Sequence, residues 1–204
     1  MIVLVSGATP EVRRHPHVGV LVVPAAGNAP ASLPLDRPWA MDNGAFSGLD
    51  VPAFLRMLRR FQGYGGCRFV TAPDVVEDAA TTLELFAEWA PVIARHHWPV
   101  AFVGQDGLRL TDVPWWSCDA VFLGGSTAWK LGPTARDLAA YGQARGKWVH
   151  MGRVNSAQRL KYAMRIGCHS IDGRSWSAWS RRYLPTISRI VQSYHGGPLF
   201  EEVR

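Results

Sequence analysis

The chain has 204 residues and a mass of 22.5 kDa, 48% hydrophobic and 19% charged. That is one ordinary domain, and the composition excludes a disordered or low-complexity chain. The net charge of +6 rests almost wholly on arginine, since the only lysines are Lys130, Lys147 and Lys161; the planar fork of arginine suits phosphate.

Three cysteines, Cys67, Cys118 and Cys168, are spaced about fifty residues apart. That spacing supports neither a zinc site nor a disulfide framework. The longest apolar stretch falls far short of the ~20 residues that cross a bilayer. The N-terminal apolar run is too short for a secretory signal and has no basic region before it, so a cytoplasmic protein with no membrane partner is expected.

Short apolar, β-rich runs recur along the chain at residues 2–5, 18–23, 38–41, 68–72, 100–103, 120–123, 148–151 and 168–171. From the third onward most are followed by helical periodicity. Phe54, Leu55, Leu58 and Phe61 mark a helix over 51–61, and 78–97 is a longer one opened by an acidic cap region. Further helices are expected over 134–144, 156–166 with Ser156 as cap, and 183–194.

Strands alternating with helices imply a parallel sheet covered by helices. Eight strands in 204 residues fit a compact single-domain (β/α)8 TIM-type barrel spanning residues 1–204, with a doubly wound sheet as the alternative. The barrel is preferred because polar residues repeatedly follow strand ends: Asp42, Asp74, Gln105, Gly124, Gly125, Gly152 and Asp172. In such barrels those ends carry the active site.

The charge is unevenly divided. Residues 1–100 hold eight basic and nine acidic groups, so the remainder carries +7. Between Ala144 and Arg189 there are ten basic residues and a single acid, Asp172. Such a segment is either a solvated basic face or a polyanion track beside a catalytic acid.

Each candidate also has a plainer reading. Asp42-Asn43-Gly44, Gln105-Asp106-Gly107 and Asp172-Gly173 are turn signals, and Asp74 could open a loop. Gly124-Gly125 has no Walker or GxGxxG context. The histidines show no metal-ligand pattern, and neither a GxSxG elbow nor HExxH occurs, so no metal or cofactor is expected. Trp176 and Trp179, interleaved with Arg174, Arg181 and Arg182, suit either base stacking beside phosphate contacts or a packed helix face.

Taken together, two separated carboxylates after strands, on a barrel with a basic last third, suggest cleavage of a nucleotide's N-glycosidic bond. The motifs resemble the tRNA-guanine transglycosylase superfamily, in particular its DpdA-like, DNA-acting branch. Asp42-Asn43-Gly44-Ala45-Phe46 is similar to the family's D-x-G-x-F, and Gly167 followed by Asp172 has the spacing before its nucleophile.

The resemblance implies a (β/α)8 barrel with Asp172 as nucleophile and Asp42 as acid and base. It implies a base pocket of Phe46, Asp74, Gln105, Gly124, Gly125 and Met151. Arg153, Arg174, Arg181 and Arg182 are expected along the nucleic-acid backbone, with Trp176 and Trp179 as stacking residues.

The Cys/His zinc site and the additional RNA-binding domain of the tRNA members have no counterpart in this sequence, so DNA is favoured over tRNA. The expected activity is release of a modified base from DNA, leaving an abasic site, as in a glycosylase of phage defence. The alternatives are a transglycosylase that inserts a deazaguanine, a small-molecule lyase or glycosidase, and a non-catalytic nucleic-acid-binding protein.

Overall fold

All eight apolar runs are strands. A computed structural model describes residues 1–6, 14–26, 28–33, 37–178 and 180–195. Its strands are β1 (Ile2–Val5), β2 (Val18–Val22), β3 (Trp39–Met41), β4 (Cys67–Thr71), β5 (Val100–Gly104), β6 (Ala120–Leu123), β7 (Trp148–Met151) and β8 (Ser170–Asp172). Every neighbouring pair is parallel, and β8 returns to β1 through Leu4 opposite Asp172, closing the barrel in sequence order. The fold is therefore the (β/α)8 barrel, and the doubly wound alternative is excluded.

The helices are α1 (Val51–Arg60), α2 (Ala79–Ala94), α3 (Thr127–Lys130), α4 (Pro133–Ala144), α5 (Ala157–Arg165), α6 (Arg174–Ala178) and α7 (Ser180–His195). Among the described residues, the connections after β2 and β5 carry only short 3-10 turns. That economy lets eight strands close within about 200 residues.

Strand alternation divides the apolar residues into two layers. Leu4, Leu21, Ala40, Phe69, Ala101, Val103, Ala120 and Phe122 fill the barrel interior. The intervening residues, among them Val3, Val20, Trp39, Met41, Val70, Phe102, Val121, Val149, Met151 and Ile171, pack outward beneath Phe54, Leu58, Phe86, Ile93, Leu138 and Leu160 of the helices.

Helix starts are set by side-chain caps. Asp50 accepts from the amide of Ala53, Asp78 from Thr81, Ser126 from Trp129 and Ser156 from Arg159. Each cap contributes about 1 kcal/mol. In a parallel barrel these helix N-termini lie at the same end as the strand C-termini, so the caps also tie down the loops that build the site.

Candidate active site at the C-terminal end of the barrel

A cavity of about 400 Å³ opens at that end, and Asp42, Asp74, Gln105, Gly124, Phe46 and Asp172 all line it. Residues far apart in sequence, from β3 to β8, are thus brought together. The strand ends that the sequence marks do converge.

Asp42 follows β3 in a turn whose geometry it makes itself: its Oδ1 accepts the amide of Gly44 at 2.8 Å, and Gly44 adopts φ +78°. Asp42-Asn43-Gly44 therefore forms the turn and also places Asp42 and Asn43 on the cavity wall. Burial pushes the Asp42 carboxyl up to about 7. The Gly44 amide opposes that shift, while the negative charges of Asp172 and Asp74 add to it. Near neutral pH this group both gives and takes a proton.

Asn43 is buried and acts as a hub, a role that its place in a turn motif conceals in the sequence. Its amide donates to Thr71 Oγ1 at 2.8 Å, and its Nδ2 donates to the Ala72 carbonyl at 2.7 Å and to Asp74 Oδ1 at 2.8 Å. The other oxygen of Asp74 accepts from Gln105 Nε2 at 2.7 Å, and Gln105 Oε1 accepts the Glu77 amide at 3.0 Å. Gln105 is only 1% exposed. It serves chiefly to hold Asp74, whose carboxyl is raised by burial against these two hydrogen bonds.

Asp172 ends β8 with its Oδ1 3.1 Å from His150 Nε2 and accepting from the Arg153 amide at 3.2 Å. Arg153 reaches that position in a left-handed backbone conformation, φ +57°, which is rare for a residue with a Cβ and concentrates at functional sites. Its guanidinium donates to the carbonyls of Gly124 and Gly125, both at 2.6 Å, and lies 5.1 Å from the ring centroid of Phe46. Phe46 remains 68% exposed at the cavity mouth. An aromatic left open to water beside a cavity is a surface on which a planar ligand can stack.

Gly152 is required by close approach, because a Cβ there would stand 2.6 Å from the Phe122 ring and 3.3 Å from Asp172 Oδ1. Its carbonyl accepts from Lys130 Nζ at 2.7 Å. Lys130 is buried, and burial, then the neighbouring Arg153 charge, lowers its ammonium to about 8. Asp106 accepts from the Ser126 amide and hydroxyl, both at 2.6 Å, and joins the β5 and β6 loops.

Three expectations are corrected. Met151 does not close the pocket: alternation along β7 turns His150 inward and Met151 outward, where it is 2% exposed in the layer beneath the helices. Trp176 is no stacking platform, since it is buried in the same layer with its indole N–H donating to the Val154 carbonyl. Arg153 belongs to the cavity wall rather than to an external track. Arg174 lies exposed at the cavity lip. Trp179 lies outside the described residues, as do the side chains of Arg181 and Arg182 on α7.

The basic segment does not form one track. Arg145, Lys147 and Arg165 follow or end helices and therefore sit at the far, N-terminal end of the barrel. There Arg145 lies over Trp115 and Tyr141, Arg165 over Tyr162, and Lys147 donates to the Cys118 carbonyl.

Among the described residues, no group of three or more His, Cys, Asp and Glu is arranged to hold a metal ion. No described helix is long and apolar enough to cross a membrane.

No protein-family model matches the chain, and no curated protein matches it. Among solved structures it is similar to the Bacillus subtilis YkuI protein, which has an EAL domain and was solved in complex with substrate c-di-GMP and calcium. The identity is 15% and the TM-score 0.46, over 82% of this chain and 51% of that one. The chain thus spans about half the length of that protein, and at this distance the likeness adds nothing to the barrel already described.

Proposed function

We propose that the protein cleaves the N-glycosidic bond of a base in a nucleic acid, DNA in preference to tRNA, and releases the base. One observation carries the reading: Asp42, near half-protonated at neutral pH, and Asp172 face the same cavity beside an exposed aromatic ring. Two carboxyl groups with divided roles are what glycosyl transfer through an oxocarbenium-like transition state uses.

A nucleotide flipped from its strand stacks on Phe46, which offsets the few kcal/mol of unstacking. Asp74 reads its edge: each carboxyl oxygen already accepts one hydrogen bond and keeps a second lone pair for an N–H donor, as on the edge of a guanine-like base. Asp172 attacks the anomeric carbon as the bond to the base nitrogen breaks, and Asp42 gives its proton to that nitrogen. Asp42, now a carboxylate, takes a proton from water. The water displaces Asp172 from the sugar, leaving an abasic site. A second base in place of water would make the reaction an exchange.

The experiment is incubation with DNA containing guanine or a deazaguanine, followed by alkaline strand cleavage and mass spectrometry of released bases. Free base with matching strand breaks is expected. Base exchange without breaks would favour the transglycosylase, and oligonucleotide binding with neither product would remove the enzymatic reading.

A further inference from the structure

His150 plays no part in the steps above, yet it is wholly buried in the barrel interior and points at Asp172. Its ring packs against those of Phe69 and Phe122, with centroids 5.1 and 4.5 Å away, and those two rings also meet each other edge to face. Its Nε2 is 3.1 Å from Asp172 Oδ1 and its Nδ1 is 2.8 Å from Ser170 Oγ. Ser170 is also fully buried, and its Oγ accepts from Trp148 Nε1 at 2.8 Å.

Counting donors fixes the proton positions. An indole N–H can only donate, so it occupies an acceptor site on Ser170 Oγ. The hydroxyl proton of a buried serine needs an acceptor of its own, and His150 Nδ1 is the group in place to accept it. That leaves Nδ1 unprotonated and puts the ring proton on Nε2, facing Asp172. The opposite tautomer would strand the hydroxyl proton and set a nitrogen lone pair against a carboxylate oxygen.

We infer that the chain Trp148, Ser170, His150, Asp172 locks His150 in its Nε2–H tautomer, making it the positioning residue that orients Asp172 with Oδ1 occupied and Oδ2 free to attack. The inference rests on the nucleophile reading of Asp172. The Arg153 amide is the second donor to Oδ1, and two donors on one oxygen fix the rotation of the carboxylate about its own axis. In the reaction the bond from Oδ2 to the sugar forms as the bond to the base breaks. His150 keeps its proton throughout, and its hydrogen bond weakens as the carboxylate becomes an ester and is restored on hydrolysis.

Two measurements test this on the full chain. In protein labelled with ¹⁵N-histidine, long-range proton–nitrogen correlation at pH 7 should show His150, assigned by its loss in His150→Gln, with Nε2 protonated and Nδ1 bare. A protonated Nδ1 overturns the proposal whatever the activity.

In single-turnover release from guanine- and deazaguanine-containing oligodeoxynucleotides, His150→Phe keeps the ring packing and loses the donor. Its rate should fall about 100-fold with little change in half-saturation. His150→Gln restores an N–H near the Nε2 position and should recover to within about tenfold of the parent. A folded His150→Phe as fast as the parent, with Asp172→Asn inactive, overturns the positioning role alone. Activity in Asp172→Asn overturns the nucleophile reading beneath it. If His150→Phe does not fold, or neither probe is turned over, the tautomer measurement decides.

Discussion

The two ends of the barrel use the same kinds of residue for opposite purposes. At the N-terminal end charged groups are consumed by the fold: Lys147 closes on a carbonyl, Arg145 and Arg165 cover aromatic rings, and Asp119 accepts the Val100 amide at 2.9 Å. Arg165 in the last turn of α5 also complements the negative end of that helix. At the C-terminal end carboxylates face a cavity with their proton affinities raised, and Lys130 is buried with its own lowered. One end relaxes its charges and the other holds them under electrostatic tension, which is the mark of a functional site.

Four tests bear on that contrast. The largest effect is expected at Asp172→Asn, which removes the proposed nucleophile at nearly unchanged volume. Base release should fall at least about 10⁴-fold while oligonucleotide binding persists, as read by single-turnover assay and anisotropy.

Asp42→Asn comes next, with a loss of about 10²- to 10³-fold at pH 6. Because the Asp42 carboxyl sits near 7 and donates when protonated, the parent rate should decline as pH rises through 7. The variant should show no such decline. A decline that survives in Asp42→Asn assigns the proton to another group.

The third test sets the ends directly against each other. Arg174→Ala, at the exposed lip of the cavity, should weaken oligonucleotide binding and flatten its salt dependence by about one log-log unit for the phosphate that is no longer engaged. Arg145→Ala with Lys147→Ala should leave both unchanged. Equal losses at the two ends would restore the basic segment to a general polyanion face.

The smallest effect is on stability. The folded-state pKa of Asp42 lies above its unfolded value of about 4, so its contribution is fully present below that value and lost as pH rises through 7. Asp42→Asn should therefore be more stable than the parent at pH 8, by about 2 kcal/mol after allowance for partial solvent access, and nearly equal at pH 4. Urea unfolding at the two pH values measures this.

How much of the molecule is legible in its sequence depends on the direction of each contact. The strands can be read because every one is a short apolar run closed by a polar residue, glycine or proline, and Asp42, Asp74, Gln105 and Asp172 can be read because they stand at or just past such ends. Met151 is misplaced when a Met-Gly motif is weighed above the pleat, although period-two alternation from Gly152 already turns Met151 away.

Trp176 sits among arginines in sequence but is carried beneath the rim by the turn at Gly173, where the residues line up only in three dimensions. His150 gives no local signal. Its meaning comes from lying opposite Ser170 across the β7–β8 ladder, a register invisible along one strand. Lys130 does leave a trace, as one of three lysines in a chain otherwise built on arginine.

The apparent single basic block arises because the barrel reverses direction at each helix. Residues at the two ends of α4 or of α5 therefore lie at opposite poles.

Arg153 has a consequence for laboratory evolution. Its φ of +57° costs about 1 kcal/mol that glycine would not incur, and the backbone N–H that reaches Asp172 would survive the change. Glycine at 153 would shed that cost together with the guanidinium's hydrogen bonds to the Gly124 and Gly125 carbonyls, so a library screened only for heat resistance should be near indifferent to it, whereas one screened for turnover should retain arginine. The two screens diverging at this one position would show where the chain has kept a strained shape for the sake of its chemistry.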